Sequence, residues 1–571
     1  MTTAIWCQRP PPPPDAPQRL GVASARLARL LWQRGVRDAA AAARFLTARE
    51  QPLGDPWAMH GVAEAVRAVH AALAAGAPIG IHGDYDCDGV SAAALLADAL
   101  ERLGARVEVY LPHRVRDGYG VAAEALRAFA ARGVRLVLTV DCGITANTEV
   151  ALATELGLDV VVTDHHHVPV ALPAARAVLN PRQPACGYPF RDLAGAGVAF
   201  VLARALLHSR LPPAAAEEAT AALLDLAALG TIADLVPLVG ENRTLVARGL
   251  QVLNAARRPG VRALLQAARA TPGALTAQQA AFALTTRLNA AGRMGEAVDA
   301  LRLLRAPDVA TAEPLAAQLE AANRARQAAV EAAIAEASAQ VDPAAPALII
   351  AGQFPLGVVG LVAHRLAERT GRPCVVLDHD GTLCRGSARG PTGFHLAEAL
   401  AACSDLLLKY GGHAQAGGCT LRAEQLPAFT ARFQALARAA LGDAPPPPRL
   451  CADDALPLTA LDWDLAESLR ALEPCGLGNP PPLFYTPRVR VREARPLGRT
   501  GTVLWVGDSG PSARATWFGP GDAPPPGQWI DLLYEVERRE WDGQVRLDLR
   551  LRAWRPAAAR AALPLATDEP A

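Results

Sequence analysis

Between residues 78 and 163, short apolar runs alternate with stretches of helical periodicity. The runs at 78–82, 106–110, 134–140 and 158–163 are rich in Val, Ile and Leu and predict strands. Helical patterns occupy 91–102, 122–132 and 145–156. Strand–helix alternation of this kind predicts a parallel, doubly wound sheet with both faces covered. Residues 217–335 are rich in Ala and Leu with little β-propensity, which predicts helices ending in a long one near 313–339. A second α/β unit follows, with strands at 348–350 and 374–377 and a helix at 396–410. Five short alternating segments then appear, at 488–492, 502–506, 513–518, 530–536 and 545–551. They predict a small β-barrel, with an OB-fold as one candidate. Five tryptophans, Trp505, Trp517, Trp529, Trp541 and Trp554, fall in this tail. No repeat of solenoid period is visible.

Composition changes this picture little. A chain of 571 residues suggests roughly four domains at about 150 residues each, and 51% hydrophobic with 20% charged residues excludes general disorder. The formal net charge is +1, so any nucleic-acid surface must be a local patch. Lys409 is the sole lysine, and such a patch must be built from arginine. The ten cysteines show no CxxC spacing and are expected to be reduced, mostly buried thiols. The first residues lack a signal-peptide pattern, and the most apolar window, 344–363, is broken by Gln353, Pro355 and several glycines. It reads as strand, turn and helix, and a cytoplasmic protein is expected. Proline runs at 10–14 and 445–448 mark an exposed segment and a linker, and 524–526 marks a loop.

The chemistry gathers at strand ends. His82, Asp84, Asp86 and Asp88 follow the first strand in the run HGDYDCDG. Asp141 follows the 134–140 strand, and Asp164, His165, His166 and His167 follow the 158–163 strand. A further acid, Asp234, follows an apolar helix in IADLVPL. In a doubly wound sheet the carboxyl ends of the strands line one crevice. A single Asp after a strand is commonly a helix N-cap. Four acid-bearing segments, two of them with histidine, are not explained that way. Acids crowded together resist ionisation unless cations are present. The best placed set, Asp86, Asp88, Asp141, His165 and Asp234, has no thiolate and suits Mn²⁺ or Mg²⁺. One acid bridging two ions gives the arrangement used for displacement at phosphorus. No GxxxxGK[ST] loop exists, so a P-loop ATPase is excluded.

These motifs, in this order, resemble the DHH phosphoesterase superfamily. RLNAAGRM at 287–294, GGHA at 411–414 and EPCGLGNP at 473–480 sharpen the resemblance to its RecJ family of single-strand-specific exonucleases, over about residues 34–554. The resemblance implies an N-terminal extension (1–55), a DHH catalytic domain (56–240), a helical connector (241–340), a DHH-associated α/β domain (341–442) and an OB-like nucleic-acid-binding domain (449–571). It implies a 5′→3′ exonuclease of DNA repair and recombination that degrades single-stranded DNA to 5′-mononucleotides with two Mn²⁺ or Mg²⁺ ions. On matching motifs the ligands are Asp86, Asp88, Asp141, His165 and Asp234, with Asp141 bridging. His166 lies near the scissile phosphate as ligand or polarising group, and Asp164 orients a histidine. His82 and Asp84 line the site, and His167 is solvated. The DNA phosphates fall to Arg114, Arg293, Ser387, Arg389, Gly411, Gly412 and His413. The motif around Arg293 has a second reading as a packing turn. Trp505, Trp517 and Trp541 are either stacking platforms or barrel core. A monomer is expected, assisted by a RecQ-type helicase and a single-stranded-DNA-binding protein. The alternatives are a DHH-family phosphodiesterase acting on short oligonucleotides or cyclic dinucleotides, and a non-catalytic DNA-binding scaffold, which intact ligand positions disfavour.

Overall fold

Alternate residues of the central strands divide between two apolar cores, which is what a sheet covered on both faces requires. Leu136, Leu138, Val140 and Val161 enter one core with Ile79 and Ile81, while Val137, Val160 and Val162 enter the other with Leu126 and Phe129. The sheet is parallel throughout, in the order Val107–Tyr110, Ile79–Gly83, Leu136–Val140, Asp159–Thr163 and Ala177–Leu179. The last strand, only three residues long, was not expected from the sequence. Helices Cys87–Arg102, Gly195–Arg210 and Leu224–Ala233 bury nearly continuous apolar surface on one face. Helices Ala123–Ala131 and Asn147–Glu155 cover the other.

This computed structural model describes residues 4–442, 449–498, 501–507, 510, 512–519, 521–541, 544–557 and 563–566, with only the backbone at 540, 541, 544 and 545. The expected linker at 445–448 lies outside the described residues. The chain forms two compact units, Pro52–Pro446 and Thr2–Gln51 with Pro447–Ala571.

The first unit continues through helices to Val309–Ala339, a helix of 31 residues capped by Asp308, whose side chain accepts from the Thr311 N–H. Its second α/β domain holds a mixed sheet in the order Lys409–Gly412, Ala416–Arg422, Leu383–Arg389, Cys374–His379 and Leu348–Gly352. Only the last two strands are parallel to each other. The helix expected over 396–410 stops at Ala401. Residues beyond it turn outward to pair with Ala416–Arg422, and the Leu408 N–H donates to the Thr420 carbonyl at 2.8 Å. Two glycines of this hairpin sit where a side chain would crowd: a Cβ on Gly412 would lie 2.4 Å from the Ala416 carbonyl oxygen, and one on Gly417 2.8 Å from the Leu400 side chain.

The second unit contains the expected barrel. Strands Phe484–Leu497, Gly501–Gly507, Ala513–Trp517, Gln544–Pro556 and Trp529–Trp541 pair in turn, and the last pairs back with the first. Trp517 is buried in it, so it is core rather than platform; the Trp541 side chain lies outside the described residues. The segment expected as an N-terminal extension contributes helices whose Leu20, Leu30 and Leu31 join the barrel's apolar core. Arg34 fastens them, donating to Asn479 Oδ1 at 2.7 Å and to the Pro480 carbonyl at 2.6 Å. The EPCGLGNP motif is therefore part of a structural clasp. Strand Ile5–Gln8 pairs in parallel with Arg449–Ala452, and Cys7 and Cys451, in register, form a disulfide. The expectation that all cysteines are reduced is corrected here. Sequence spacing reveals local pairs, whereas these two are 444 residues apart. The other cysteines form no disulfide and are buried.

Candidate active site

Three strand ends and one helix end deliver the acids and imidazoles to one place. Asp86 caps helix Cys87–Arg102, its Oδ1 accepting from the N–H groups of Asp88 and Gly89 at 2.9 and 3.1 Å. The N-cap reading is thus correct for one oxygen, Oδ1. Asp88 is buried. Its Oδ2 and Oδ1 accept from the N–H groups of Gly195 and Ala196, at the start of helix Gly195–Arg210, at 2.7 and 2.9 Å. Asp141 leaves strand Leu136–Val140 in the left-handed region, at φ 61°. Asp234 ends helix Leu224–Ala233, beside His165.

The neighbouring helices approach closely because they present glycine. A Cβ on Gly195 would meet Asp141 Oδ1 at 2.6 Å, and one on Gly230 would meet Asp88 Oδ1 at 2.4 Å. Nothing in the sequence motifs pointed to these two positions.

Three groups of donor atoms lie within 4.8 Å of one another: Asp84, Asp86 and Asp141; Asp88, His165 and Asp234; and Asp141, His165 and His166. Asp141 belongs to the first and third groups, and His165 links the third to the second. Asp84, expected only as lining, sits among the donors. Asp141 Oδ1 and His165 Nε2 are 3.1 Å apart yet form no hydrogen bond with each other or with any other atom of the described residues. Asp84 Oδ1 is likewise buried without a partner.

Burial and mutual repulsion set the electrostatics. Burial, then Asp86, pushes Asp84 up to about 8 and Asp88 up to about 7. Burial, then Asp88, raises Asp234 to about 9 and holds Asp141 well above the carboxylate range. Burial lowers His165 to about 3, which leaves a neutral imidazole able to ligate. Buried, unpartnered carboxylate and imidazole atoms aimed at common space fit divalent cations, whose charge removes the repulsion.

Asp164 lies behind this set. Its Oδ1 accepts from the His165 and His166 backbone N–H groups and from His166 Nδ1 at 2.7 Å, and its Oδ2 accepts from the Ile144 N–H. Burial works to raise its pKa, but the His166 contacts outweigh it and the net direction is down. Burial likewise opposes charge on His166, and the bond to Asp164 prevails, raising it to about 9. His82 stands apart as a packing group: its Nε2 accepts from the Ala122 N–H, and burial lowers it to about 4. His167 is exposed.

Arginines flank the acids. Arg114 lies 3.9 Å above the Tyr85 ring. Arg293, on helix Thr286–Met294, donates to the Gly357 carbonyl at 3.1 Å, and burial, then Arg114, lowers it to about 9. Arg389 and Ser387 face Gly360, near the start of helix Val359–Thr370. The RLNAAGRM motif is both a packing element and a carrier of Arg293. Asn289 Oδ1 accepts from the Cys87 N–H at 3.0 Å, and Gly292 lets the helix meet the Tyr85 carbonyl. Of the glycine–glycine–histidine segment, the His413 N–H donates to the Ala416 carbonyl, so it is not free for phosphate. The His413 ring instead stacks on His166, with centroids 6.0 Å apart at 15°.

This fold and donor set define the class, that of the DHH enzymes. The model of the DHH family, N-terminal domain, matches residues 78–231, that of the DHHA1 domain 347–439, and that of the RecJ OB domain 452–553. The single-stranded-DNA-specific exonuclease RecJ of Bacillus subtilis is 36% identical over 548 residues, covering 92% of this chain and 67% of that protein. Its counterpart from Dickeya dadantii is 37% identical, covering 83% and 85%. The crystal structure of RecJ in complex with Mn²⁺ from Thermus thermophilus superposes with a TM-score of 0.81 at 34% identity, covering 98% of this chain and 80% of that one. The Mg²⁺ complex gives 0.76 at 32%, covering 97% and 79%. The chain belongs to the RecJ family of single-stranded-DNA-specific exonucleases.

Proposed function

We propose that this chain is a metal-dependent exonuclease that removes 5′-mononucleotides from single-stranded DNA in the 5′→3′ direction, in DNA repair and recombination. The observation that carries the reading is the pair of buried, unpartnered donors Asp141 Oδ1 and His165 Nε2, 3.1 Å apart within a ring of acids. Asp84, Asp86 and Asp141 would hold one divalent cation, Mn²⁺ or Mg²⁺. Asp88, His165 and Asp234 would hold the second, with Asp141 shared. When bound, such ions activate water and neutralise charge at the phosphoryl oxygens.

The chain's own residues do the rest. Asp164 accepts a hydrogen bond from the His166 Nδ1–H, so the ring has Nε2 left for a phosphoryl oxygen. Arg114, Arg293, Arg389 and Ser387 hold the phosphate of the strand's 5′ end, and the His413 ring supports His166. An end phosphate held in a fixed arginine cluster sets the direction of digestion. The barrel binds the strand by stacking and charge. Trp505, partly exposed with Arg495 over its ring at 5.1 Å, suits that task.

The alternative of a phosphodiesterase for short oligonucleotides or cyclic dinucleotides is not favoured, since a RecJ OB domain accompanies the catalytic domain. Among the described residues no helix is long and apolar enough to cross a membrane. Cytoplasmic action, a monomeric state and help from a RecQ-type helicase and a single-stranded-DNA-binding protein complete the proposal on family resemblance. Digestion of single- and double-stranded DNA labelled at either end, with Mn²⁺, Mg²⁺ or chelator, tests it. Release of labelled mononucleotide from the 5′ end of single strands alone, abolished by chelator, is expected. Activity from the 3′ end, or activity in chelator, contradicts it.

A further inference from the structure

Tyr119 lies where the sequence motifs marked nothing. It follows Asp117 in the turn after strand Val107–Tyr110, between Gly118 (φ 78°) and Gly120 (φ 108°). A Cβ on either glycine would meet nothing within 4 Å, so the backbone path, not lack of space, calls for glycine. The base of the turn is fastened by Asp117 Oδ2, which accepts from the Tyr110 hydroxyl at 3.0 Å and the His113 N–H at 2.7 Å. The Tyr119 side chain is 49% exposed, so it is not there to fill a core. Yet its hydroxyl lies 3.2 Å from His166 Nδ1 and 3.5 Å from the Asp141 carbonyl, with the ring edge-on to His166 at 5.6 Å.

The hydrogen-bond roles follow from Asp164. Both of its oxygens are surrounded by N–H donors, so it acts as a carboxylate and the His166 Nδ1 must carry a proton. The Tyr119 oxygen then accepts a share of that N–H, while its own O–H points to the Asp141 carbonyl. We propose that Tyr119 is a positioning residue: its hydroxyl ties the His166 ring to the peptide of Asp141 and keeps Nε2 facing the reacting phosphate. The proposal rests on the reading of His166 given above. Asp141 occupies the left-handed region and is grouped both with Asp84 and Asp86 and with His165 and His166, so a hydroxyl on its carbonyl steadies a donor common to those two groups.

The test compares the full chain with Tyr119→Phe and His166→Gln, using Mn²⁺ and a 5′-phosphorylated single strand. Tyr119→Phe keeps the ring and removes only the hydroxyl. It should lower kcat about tenfold with KM within about twofold, since an interaction that orients the reacting groups shows in kcat. In metal-free, ¹⁵N-histidine-labelled protein the His166 ring signals, assigned by their loss in His166→Gln, should shift in Tyr119→Phe at unchanged Tm. Unchanged kcat with unchanged His166 signals overturns the proposal, and so does a loss confined to KM. Full activity in His166→Gln instead overturns the reading of His166, and with it the reason for holding the ring.

Discussion

Asp141 combines three properties that rarely coincide in one aspartate. It is buried, its backbone is left-handed, and one carboxylate oxygen has no hydrogen-bond partner. A non-glycine residue held in that region signals a constraint imposed by its surroundings. Replacement by Asn should lower kcat on the order of a thousandfold, as expected for a group acting in the chemical step. Single-strand binding measured by fluorescence anisotropy in Ca²⁺ should change by no more than about threefold, because the proposed phosphate contacts are made by other residues. Gly195→Ala is a subtler probe. Its methyl would meet Asp141 at 2.6 Å, so kcat should fall in a protein that still folds, as judged by Tm and circular dichroism. The acids and histidines themselves were legible in the sequence, because each follows a recognisable strand or helix. Gly195, Gly230 and Tyr119 were not, because their roles arise from contacts with residues far away in the chain.

At the scale of elements, helix Thr286–Met294 shows how one motif serves two ends. Asn289 closes the N-terminus of helix Cys87–Arg102, Gly292 sits on the Tyr85 carbonyl, and Arg293, the proposed phosphate-binding group, donates to the Gly357 carbonyl. A methyl on Gly292 would lie 2.5 Å from that carbonyl oxygen. Gly292→Ala should therefore cost about 1–3 kcal/mol of stability in a urea titration, in the range of overpacking, and should also raise KM for 5′-phosphorylated strands by moving Arg293. The parallel sheet was legible because its strands are apolar on both faces. The hairpin Lys409–Gly412 with Ala416–Arg422 was not, since its glycines carry no alternation of apolar and polar side chains. The leucines before it continue a helical pattern that the sheet edge overrides. The Cys7–Cys451 pair stayed hidden for the related reason that pairing between distant strands leaves no local mark.

For the whole molecule, two consequences follow. Residues 2–51 belong with the barrel unit, so cutting at about residue 446 alone would strip their apolar core partners and leave them uncovered. A chain of residues 52–446 should keep hydrolysis of short single strands and lose processivity on long ones, as read on denaturing gels. Equal processivity removes the barrel's role. The second consequence concerns pH. Asp84, Asp88, Asp141 and Asp234 have raised pKa values in the metal-free fold, so the folded state binds more protons than the unfolded chain. Stability of the metal-free protein should then fall as pH rises from about 4 through about 9. The Tm gain from Mn²⁺ should accordingly be larger at about pH 8.5 than at about pH 6, because cations relieve repulsion among ionised groups. A gain independent of pH would argue against metal binding at these acids.

Calorimetric titration of chelator-stripped protein with Mn²⁺ tests the central claim most directly. Two ions per chain are expected, with binding at both positions weakened in Asp141→Asn if that carboxylate is shared as proposed. A single ion per chain, or a titration of Asp141→Asn that overlays the parent, would contradict it.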